Sequence, residues 1–463
     1  GSVDDVIEDY GYLNARVRGM STRLLADELF PALVEASDLE GGPIRSTRRQ
    51  GYRLERGPHT LLEKNMETAR LVRDLGLDTE RVEASEEANK RFVVRDQRLL
   101  PLPMSPGEFV ESDLLSWAAK LRLLIEPFVP PLEEQRIDES LANFIRRRLG
   151  DEVLEYAVGP FVGGIFAGQP RLLSARHAFE RLYQLEQEHG SLFKGMFHRV
   201  LEGRGDDGPK PSRRLFSFEE GAQQIVDRLV ERLDEDIRTG FSVARPRSEG
   251  DGGGTITAED GRSVGPVADV IWTAPAYALG GLDLVGDSEV SEPLDIFQEV
   301  TYPPVAVVAT GWERYRIGHP LDGFGFLVPE SEPNRILGTL FMSSLFPNRA
   351  PAGRALLSTF VGGSRDPDLA RLSDQALTDT VLGDLQGLLE ARGTPEMIDI
   401  FRWERAIPQY EVGYGRILDR LDTLERRHPG IHFTGSFRDG IAVPDLIAAG
   451  EQTASSVMAG YAE

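Results

Sequence analysis

The stretch between residues 33 and 60 combines an acid that follows an apolar pair with two groups of glycine. Glu35 follows Leu33-Val34, Gly41-Gly42 comes shortly afterwards, and Gly57-Pro58-His59-Thr60 closes the stretch. In a βαβ unit that binds a dinucleotide, an acid at the end of the second strand hydrogen-bonds the adenosine ribose. Glycines have no Cβ, so they let the main chain approach a charged ligand or a flat ring. The stretch therefore predicts a dinucleotide site of the kind that holds a flavin.

A glycine motif is expected before that acid, and only part of it is present. The best-aligned segment is Asn14-Ala15-Arg16-Val17-Arg18-Gly19, in which Asn14 and Arg16 replace two glycines of G-x-G-x-x-G and Gly19 keeps the third. Asparagine tolerates a left-handed turn, but the Arg16 side chain occupies the place where the main chain normally meets the pyrophosphate. The candidate first strand, residues 3–10, is too acidic for the centre of a buried parallel sheet. We therefore expect weaker flavin binding than an intact motif gives.

The composition of the 463 residues excludes several classes of function. A formal net charge of −23 excludes a general nucleic-acid surface and disfavours binding to anionic lipid. Without cysteine there are no disulfides, no thiolate catalysis and no sulfur-ligated metal, and no pair of histidines has metal-ligand spacing on a helix. No apolar run is long enough to span a bilayer and no secretory signal pattern is present, so we expect a cytoplasmic protein.

Between residues 107 and 200 the sequence predicts a helix-rich insert. One helical face of this insert carries Trp117, Leu121, Leu124, Ile125 and Phe128. One interpretation is a face that packs into the core of the protein. The other is a surface that rests on a membrane and admits a lipophilic substrate, with Lys120 and Arg122 on the opposite side of the helix.

Several longer motifs occur in a fixed order from about residue 19 to the end of the chain. They are GPHTLL (57–62), PFVGGIFAGQPRLLSARHAF (160–179), GFGFLVP (323–329), LGTLFMSSLFPNRAP (337–351), FVGGSRDP (360–367), RWERAIPQY (402–410) and TGSFRDGIAVPDLI (434–447). Together they resemble the oxygen-dependent protoporphyrinogen oxidase family, including its coproporphyrinogen-oxidising bacterial members. Any one motif could arise by chance, but their joint presence in the order of the family is specific.

The resemblance implies an α/β fold of the amine-oxidase and p-hydroxybenzoate-hydroxylase type. A Rossmann-like FAD-binding domain would comprise residues 1–88, 215–282 and 400–463, and a helical membrane-facing insert residues 105–214. A sheet-based substrate-binding domain would comprise residues 89–104 and 283–399. The implied cofactor is FAD, the implied substrate is protoporphyrinogen IX or coproporphyrinogen III, and the implied electron acceptor is dioxygen.

Residue by residue, the resemblance implies two sets of contacts. The positions that match cofactor contacts are Gly19, Glu35, Gly41, Gly42, Gly57, Pro58, His59, Thr60, Val243, Trp403, Ile441 and Val443. The positions that match substrate contacts are Arg91 for a propionate, Gly164 near the ring edge, and Leu327, Leu340 and Phe360 as apolar walls. A porphyrinogen is a large apolar ring with carboxylates at its rim, so apolar walls and a guanidinium suit it. Without the resemblance, the arginine would be assigned to a surface ion pair and the apolar residues to the core.

The implied reaction is a six-electron oxidation, in which hydrides pass from the methylene bridges of the ring to flavin N5 and dioxygen becomes hydrogen peroxide. No general acid or base is expected, because the pyrrole nitrogens of the substrate can release protons themselves. Asn14 and Arg16 leave alternatives open: a flavin-free relative that keeps a porphyrin pocket, or an N-terminal segment altered in this sequence. A related flavin amine oxidase or carotenoid desaturase is a further alternative, which the segment at 337–351 disfavours. We also expect peripheral contact with the inner face of the cell membrane.

Overall fold

The computed structural model describes residues 32–132, 138–202, 211–212, 214–233, 237–249, 253–280, 283–285 and 291–460. The partial glycine motif with Asn14, Arg16 and Gly19 lies outside the described residues, and so does the candidate first strand. The described residues combine helices with parallel and antiparallel strand pairs, which confirms the predicted α/β class.

The strands are β1 (Leu33–Val34), β2 (Ser46–Arg49), β3 (Tyr52–Glu55), β4 (Leu61–Leu62), β5 (Arg81–Glu83), β6 (Lys90–Arg95), β7 (Arg98–Pro101), β8 (Leu215–Phe218), β9 (Ile237–Arg238), β10 (Val243–Glu249), β11 (Gly253–Ala258), β12 (Ser263–Val267), β13 (Val270–Trp272), β14 (Asp283–Val285), β15 (Ser291–Pro293), β16 (Val305–Glu313), β17 (Gly323–Leu327), β18 (Gly338–Leu340), β19 (Arg354–Gly362), β20 (Met397–Trp403) and β21 (Ile431–Phe433). The longer helices are α1 (Met66–Asp74), α2 (Pro106–Glu111), α3 (Trp117–Leu124), α4 (Leu141–Arg148), α5 (Gly159–Phe166), α6 (Glu180–His189), α7 (Leu192–Glu202), α8 (Gln224–Leu233), α9 (Asp374–Leu389), α10 (Gly415–Arg427) and α11 (Val443–Gly460).

The largest sheet has seven strands in the order β20-β16-β19-β18-β17-β6-β7. Its neighbouring strands are antiparallel except for β17 and β6, which are parallel. The central strand β16 is a nearly continuous apolar run and is buried along almost its whole length. Such a strand has both faces covered, so the sheet must be packed on two sides.

Helix α9 covers one of these two faces. The Ser373 side chain caps its N-terminus by accepting a hydrogen bond from a backbone N–H of the first turn. Leu377, Val381 and Leu385 recur at helical spacing and are buried. They pack in one core with Phe326 of β17. The opposite face of the sheet is therefore turned toward the rest of the molecule.

Two pairs of parallel strands lie in the part of the chain that was expected to bind the cofactor. β1 pairs with β9, and β13 pairs with β21. After β21 the chain turns at Gly435, whose φ of 126° favours glycine, and then enters α11. The antiparallel strands β10, β11 and β12 share a sheet with β14 and β15. Residues 283–293 were expected in the substrate-binding domain, but both strands of this segment join that other sheet, whereas β20 extends the large sheet to Trp403.

The insert is helical, as predicted, and is joined internally by buried ion pairs. Arg148 of α4 and Glu126 are fully buried and paired, and Glu186 of α6 lies 3.2 Å from Arg148. The Ser191 hydroxyl donates a hydrogen bond to Glu126 at 2.6 Å. Buried charges persist only when partners and extra hydrogen bonds satisfy them. This cluster therefore ties α4, α6 and the start of α7 into one unit.

The apolar face of the insert is exposed, so its interpretation as a core face is wrong. We call this face the insert patch, and its members are Trp117, Leu121, Leu124, Ile125 and Phe128. Their exposed fractions run from 52% for Ile125 to 84% for Phe128. Lys120 was expected on the side of the helix opposite this face, and it is buried. Its ammonium donates to two carbonyl oxygens of the preceding segment and lies over the Trp117 ring. Across the described part of the chain, no helix has the length and apolar character needed to cross a bilayer.

Candidate active site

Four of the five predicted substrate contacts lie on one face of the seven-stranded sheet. The side chains of residues paired directly across neighbouring strands point to the same face of the sheet. Along one strand, every second side chain points to that face. Arg91 and Leu340 are both partners of the same glycine in β17. Leu327 and Phe360 are both partners of the same glycine in β18. All four side chains therefore share the face that α9 does not cover.

The apolar members of this face are partly exposed although their strands are otherwise buried. Leu327, Leu340 and Phe360, which we call the apolar wall, each have intermediate exposure. Phe326 and Val361, which point toward α9, are only 1% and 0% exposed. Apolar side chains that stay open in the middle of buried strands form a surface suited to a flat apolar ligand.

Helix α5 approaches the apolar wall at Gly164, the fifth predicted substrate contact. A Cβ at this position would lie 2.4 Å from Cδ2 of Leu327, so the missing side chain lets the helix reach the wall. The helix ends at Ala167, which has a left-handed φ of 50°. Its carbonyl accepts the backbone N–H of Ser364 at 2.7 Å. The predicted ring-edge position is therefore held directly beside the wall.

Arg91 is exposed beside the wall and has no carboxylate partner within ion-pair distance among the described residues. Its guanidinium lies 5.5 Å from the centre of the Phe324 ring. The preceding residue, Lys90, is instead paired with Asp322. A guanidinium without an acidic partner is available to a ligand carboxylate, as the propionate assignment requires.

His59 is buried at 5% exposure, and its ring packs edge-on against Phe360 with centroids 4.8 Å apart. Its Nδ1 lies 2.7 Å from the carbonyl oxygen of Gly57. Its Nε2 is buried and has no hydrogen-bond partner. Burial, with a smaller effect from the nearby Arg349 guanidinium, lowers the pKa of His59 to about 4. The imidazole is therefore neutral near pH 7.

The segment that carries His59 is joined to β20 and to the start of α11. The Trp403 indole donates to the carbonyl oxygen of Arg56 at 2.7 Å, and the Asn65 side chain donates to the carbonyl oxygen of Pro444 at 2.7 Å. Val443 packs in the same core as Leu61 of β4. These contacts bring one group of predicted cofactor residues together: Gly57, Pro58, His59, Thr60, Trp403 and Val443, with Ile441 just before α11.

A second group of predicted cofactor residues surrounds the end of β1. Glu35 follows this strand, and its Oε1 accepts hydrogen bonds from the backbone N–H and hydroxyl of Ser37 at 2.9 and 2.8 Å. Its Oε2 has no hydrogen bond to any residue that the structure describes. Val243 packs with Val34 in one small core. The predicted ribose acid therefore keeps one oxygen available for a hydroxyl donor.

The glycines of this region differ in what requires them. Gly41 and Gly42 have positive φ angles of 85° and 53°. A Cβ on Gly41 would lie 2.5 Å from Val226 of α8, but a Cβ on Gly42 would meet nothing within 4 Å. A Cβ on Gly57 would lie 1.9 Å from the carbonyl oxygen of Pro43. Packing therefore explains Gly41 and Gly57, and only Gly42 leaves open space beside the main chain.

The residues present fit a flavin dinucleotide. Two observations support the fit: the open side of Gly42 and the available oxygen of Glu35. These are the features expected of a main-chain approach and a ribose contact. The pyrophosphate motif lies outside the described residues.

A buried ion pair near His59 was missed by the sequence analysis. Arg349 and Glu55 are fully buried with 3.2 Å between them, and the Ser46 hydroxyl donates to Glu55 at 2.5 Å. Burial raises the pKa of Glu55 and lowers that of Arg349, and it outweighs the opposing attraction between the two charges. Arg349 belongs to the motif at residues 337–351, but the identity of a residue in a motif does not show whether its side chain is buried.

Two further features lie outside this site. A cavity of about 720 Å³ lies between β21 and α11, and its lining includes Asp269 and His432 but none of the predicted site residues. Within the described ranges, no cluster of three or more histidine, aspartate or glutamate side chains could hold a metal ion.

Comparison with known proteins gives consistent matches along the chain. The family model described as flavin containing amine oxidoreductase matches residues 22–458. Protoporphyrinogen oxidase 2 of Arabidopsis thaliana is 31% identical, over 96% of this chain and 93% of its own length. Coproporphyrinogen III oxidase of Bacillus subtilis is 30% identical, over 92% of this chain and 91% of its own length. Among solved structures, a candidate protoporphyrinogen oxidase from Exiguobacterium sp. 255-15 has a TM-score of 0.74 at 24% identity, covering 99% of this chain and 97% of that one.

Proposed function

The chain belongs to the flavin-containing amine oxidoreductase family, and from this premise we propose that it is a porphyrinogen oxidase of haem biosynthesis that uses FAD and dioxygen. Its substrate is protoporphyrinogen IX or coproporphyrinogen III. The observation that carries the proposal is the apolar wall with the unpaired Arg91 guanidinium beside it. A flat apolar ring with carboxylates at its rim is the ligand that this combination suits.

Different side chains around the wall contact different parts of such a substrate. Leu327, Leu340 and Phe360 cover the apolar ring, and Gly164 lets α5 close over the ring edge without a side chain in between. Arg91 pairs with a propionate and fixes the rotation of the ring in its plane. Together these contacts determine which methylene bridge of the substrate faces the cofactor.

The cofactor residues named above would hold FAD at two places. Glu35, Gly42 and Val243 would contact its adenosine part, and the segment from Gly57 to Thr60 with Trp403, Ile441 and Val443 would contact its ring. FAD, when bound, supplies the oxidising power for the methylene bridges and transfers the electrons to dioxygen. Burial of His59 and the packing of Phe360 keep water away from the ring end.

The insert patch supports a further part of the proposal, which is peripheral contact with a membrane. Its five apolar side chains are more than half exposed, and the buried Lys120 leaves no lysine charge among them. Phe193, Met196 and Phe197 of α7 are exposed on the same insert. Exposed apolar side chains that cluster on one face mark a binding face, and a lipophilic ring substrate is expected to partition into lipid.

The enzymatic proposal is tested with purified protein in two steps. The first is the flavin absorbance spectrum, for which we expect about one FAD per chain. The second is porphyrin fluorescence after addition of protoporphyrinogen IX or coproporphyrinogen III under air, with peroxide measured in parallel. We expect faster porphyrin formation than spontaneous oxidation, with peroxide produced. A colourless protein that takes up no added FAD and forms no porphyrin would refute the proposal.

A further inference from the structure

His59 carries a buried nitrogen without a partner, and its neighbours determine what that nitrogen can do. A carbonyl oxygen only accepts hydrogen bonds, so the contact between Nδ1 and the carbonyl oxygen of Gly57 at 2.7 Å requires the proton on Nδ1. A neutral imidazole has one proton, so Nε2 is left with a bare lone pair. Nε2 can therefore accept a hydrogen bond but cannot donate one. An acceptor left buried and unpaired destabilises the ligand-free protein.

The imidazole is held in place from several sides. Gly57 packs so closely on the main chain of Pro43 that no Cβ fits between them. The Trp403 indole holds the carbonyl of Arg56, one residue earlier in the same segment. Because Nδ1 is bonded within the segment, the ring cannot flip to exchange its two nitrogens without losing that bond. The lone pair on Nε2 therefore has a fixed place.

That place adjoins the substrate side of the site. The His59 ring meets Phe360 at an interplanar angle of 68°, and Phe360 is a partly exposed member of the apolar wall. Burial and the positive charge of Arg349 keep the pKa of His59 far below neutrality, so the lone pair is present at physiological pH. A ligand that lies against the wall therefore contacts a residue, Phe360, that packs directly on the His59 ring.

We propose that Nε2 of His59 accepts a hydrogen bond from a pyrrole N–H of the porphyrinogen, an inference that rests on the proposed function. A porphyrinogen has four pyrrole N–H groups and saturated bridge carbons, so its pyrroles tilt and direct N–H groups out of the mean ring plane. A porphyrin is conjugated and flat, and its inner N–H groups stay in the ring plane. His59 therefore favours the reduced substrate over the oxidised product and helps the product to leave.

The test compares the affinities of the two tetrapyrroles. Porphyrin affinity is measured by fluorescence titration, and porphyrinogen affinity by its displacement of that porphyrin under anaerobic conditions with the bound flavin kept reduced, so no turnover occurs. His59→Leu removes the acceptor, and we expect it to weaken porphyrinogen binding about 3- to 10-fold while porphyrin binding stays within about twofold. His59→Gln restores an acceptor oxygen, and we expect it to recover most of the loss.

His319→Leu is the matched control. His319 is a partly buried histidine that packs against Phe92 and Phe341, both in the core on the α9 side of the sheet. We expect this variant to leave the ratio of the two affinities unchanged. A loss of porphyrinogen preference in His319→Leu equal to that in His59→Leu would overturn the inference, because a general packing effect would then explain both.

Three further outcomes overturn the inference for distinguishable reasons. If His59→Leu lowers FAD affinity and leaves both tetrapyrrole affinities unchanged, the donor to Nε2 is the cofactor. If His59→Leu weakens porphyrinogen and porphyrin equally, Nε2 does not discriminate between them. If the wild-type protein binds neither tetrapyrrole, the proposed function fails and the inference fails with it. Melting temperatures are measured for all variants, and we expect His59→Leu to stay folded because it removes an unpaired buried atom.

Discussion

Arg91 is the residue whose structural and functional roles are easiest to separate, because it is exposed and makes no ion pair within the described ranges. We expect Arg91→Ala to lower porphyrin affinity and raise the porphyrinogen KM about 10-fold, since a hydrogen bond to a charged group contributes about 1.5 kcal/mol at the lower end of its range. The melting temperature should not change. Fluorescence titration and steady-state kinetics provide the two measurements.

Lys90 is the matched control for that substitution. It is the adjacent cation on the same strand, but Asp322 already pairs with it. We expect Lys90→Ala to leave both the KM and the porphyrin affinity unchanged, because an exposed ion pair contributes little. Equal effects of the two substitutions would indicate general electrostatic attraction in place of a propionate contact at Arg91.

The lowered pKa of His59 predicts that the stability of the protein depends on pH. Its pKa falls from 6.5 to about 4 on folding, so between these values the unfolded chain binds more protons than the folded one. The stability that His59 contributes is complete above pH 6.5 and is lost as the pH falls toward 4. We expect the wild type to lose about 2 kcal/mol more than His59→Leu or His59→Gln between pH 7 and pH 5, as measured by urea unfolding. A difference between wild type and variants that does not depend on pH would show that the native imidazole titrates normally.

At the level of elements, successive side chains of β19 point to opposite faces of the sheet, one toward the candidate site and the next toward the core. Phe360 points to the apolar wall and is partly exposed, whereas Val361 points toward α9 and is 0% exposed. We expect Phe360→Ala to lower turnover and porphyrin affinity with a small loss of stability. Val361→Ala should lower the free energy of unfolding by about 2 kcal/mol with little effect on affinity. If Phe360→Ala unfolds the protein instead, its role is structural.

Helices were predicted well from the sequence, because the apolar spacing that indicates a helix is a local pattern. Apolar residues at helical spacing predict helices over residues 373–391 and 415–427, and the structure has α9 at Asp374–Leu389 and α10 at Gly415–Arg427. The sheet that a short strand joins depends on distant pairing partners, as for β14 and β15, and alternation along the strand does not identify them. The burial of Lys120 could not be predicted from helical spacing, because it depends on carbonyl oxygens of a segment that turns back toward it.

The sequence suggested the apolar part of the candidate site and less of its polar part. Leu327, Leu340 and Phe360 were identified by resemblance, and strand register explains why they share a face. The unpartnered nitrogen of His59 and the buried pair of Arg349 with Glu55 depend on three-dimensional burial. No local pattern in one sequence encodes burial of that kind.

At the scale of the whole molecule, the insert patch and the net charge of −23 act in opposite directions on membrane binding. The apolar patch favours insertion at the lipid interface, and the acidic protein is repelled by anionic headgroups. We expect binding to zwitterionic vesicles that Trp117→Asp with Leu121→Asp weakens on the order of 100-fold, from the loss of two large apolar side chains. Vesicle sedimentation is the measurement.

Two exposed side chains elsewhere serve as controls for that experiment. Tyr315 and Leu39 are 77% and 58% exposed but lie outside the insert. We expect Tyr315→Asp with Leu39→Asp to leave sedimentation unchanged. Sedimentation that is insensitive to the Trp117 and Leu121 substitutions would remove the membrane role from the patch.

The parallel pairing of β13 with β21 has a consequence for the order of events during protein synthesis. The segment from Gly57 to Thr60 leaves the ribosome first, the apolar wall follows, and Ile441 and Val443 emerge last of the three groups. Contacts so far apart along the chain form slowly, and those of Ile441 and Val443 cannot form before translation has passed these residues. We therefore expect a nascent chain that has not reached β21 to bind no FAD. A chain truncated before β21 should then lack the protection from proteolysis that a bound cofactor gives.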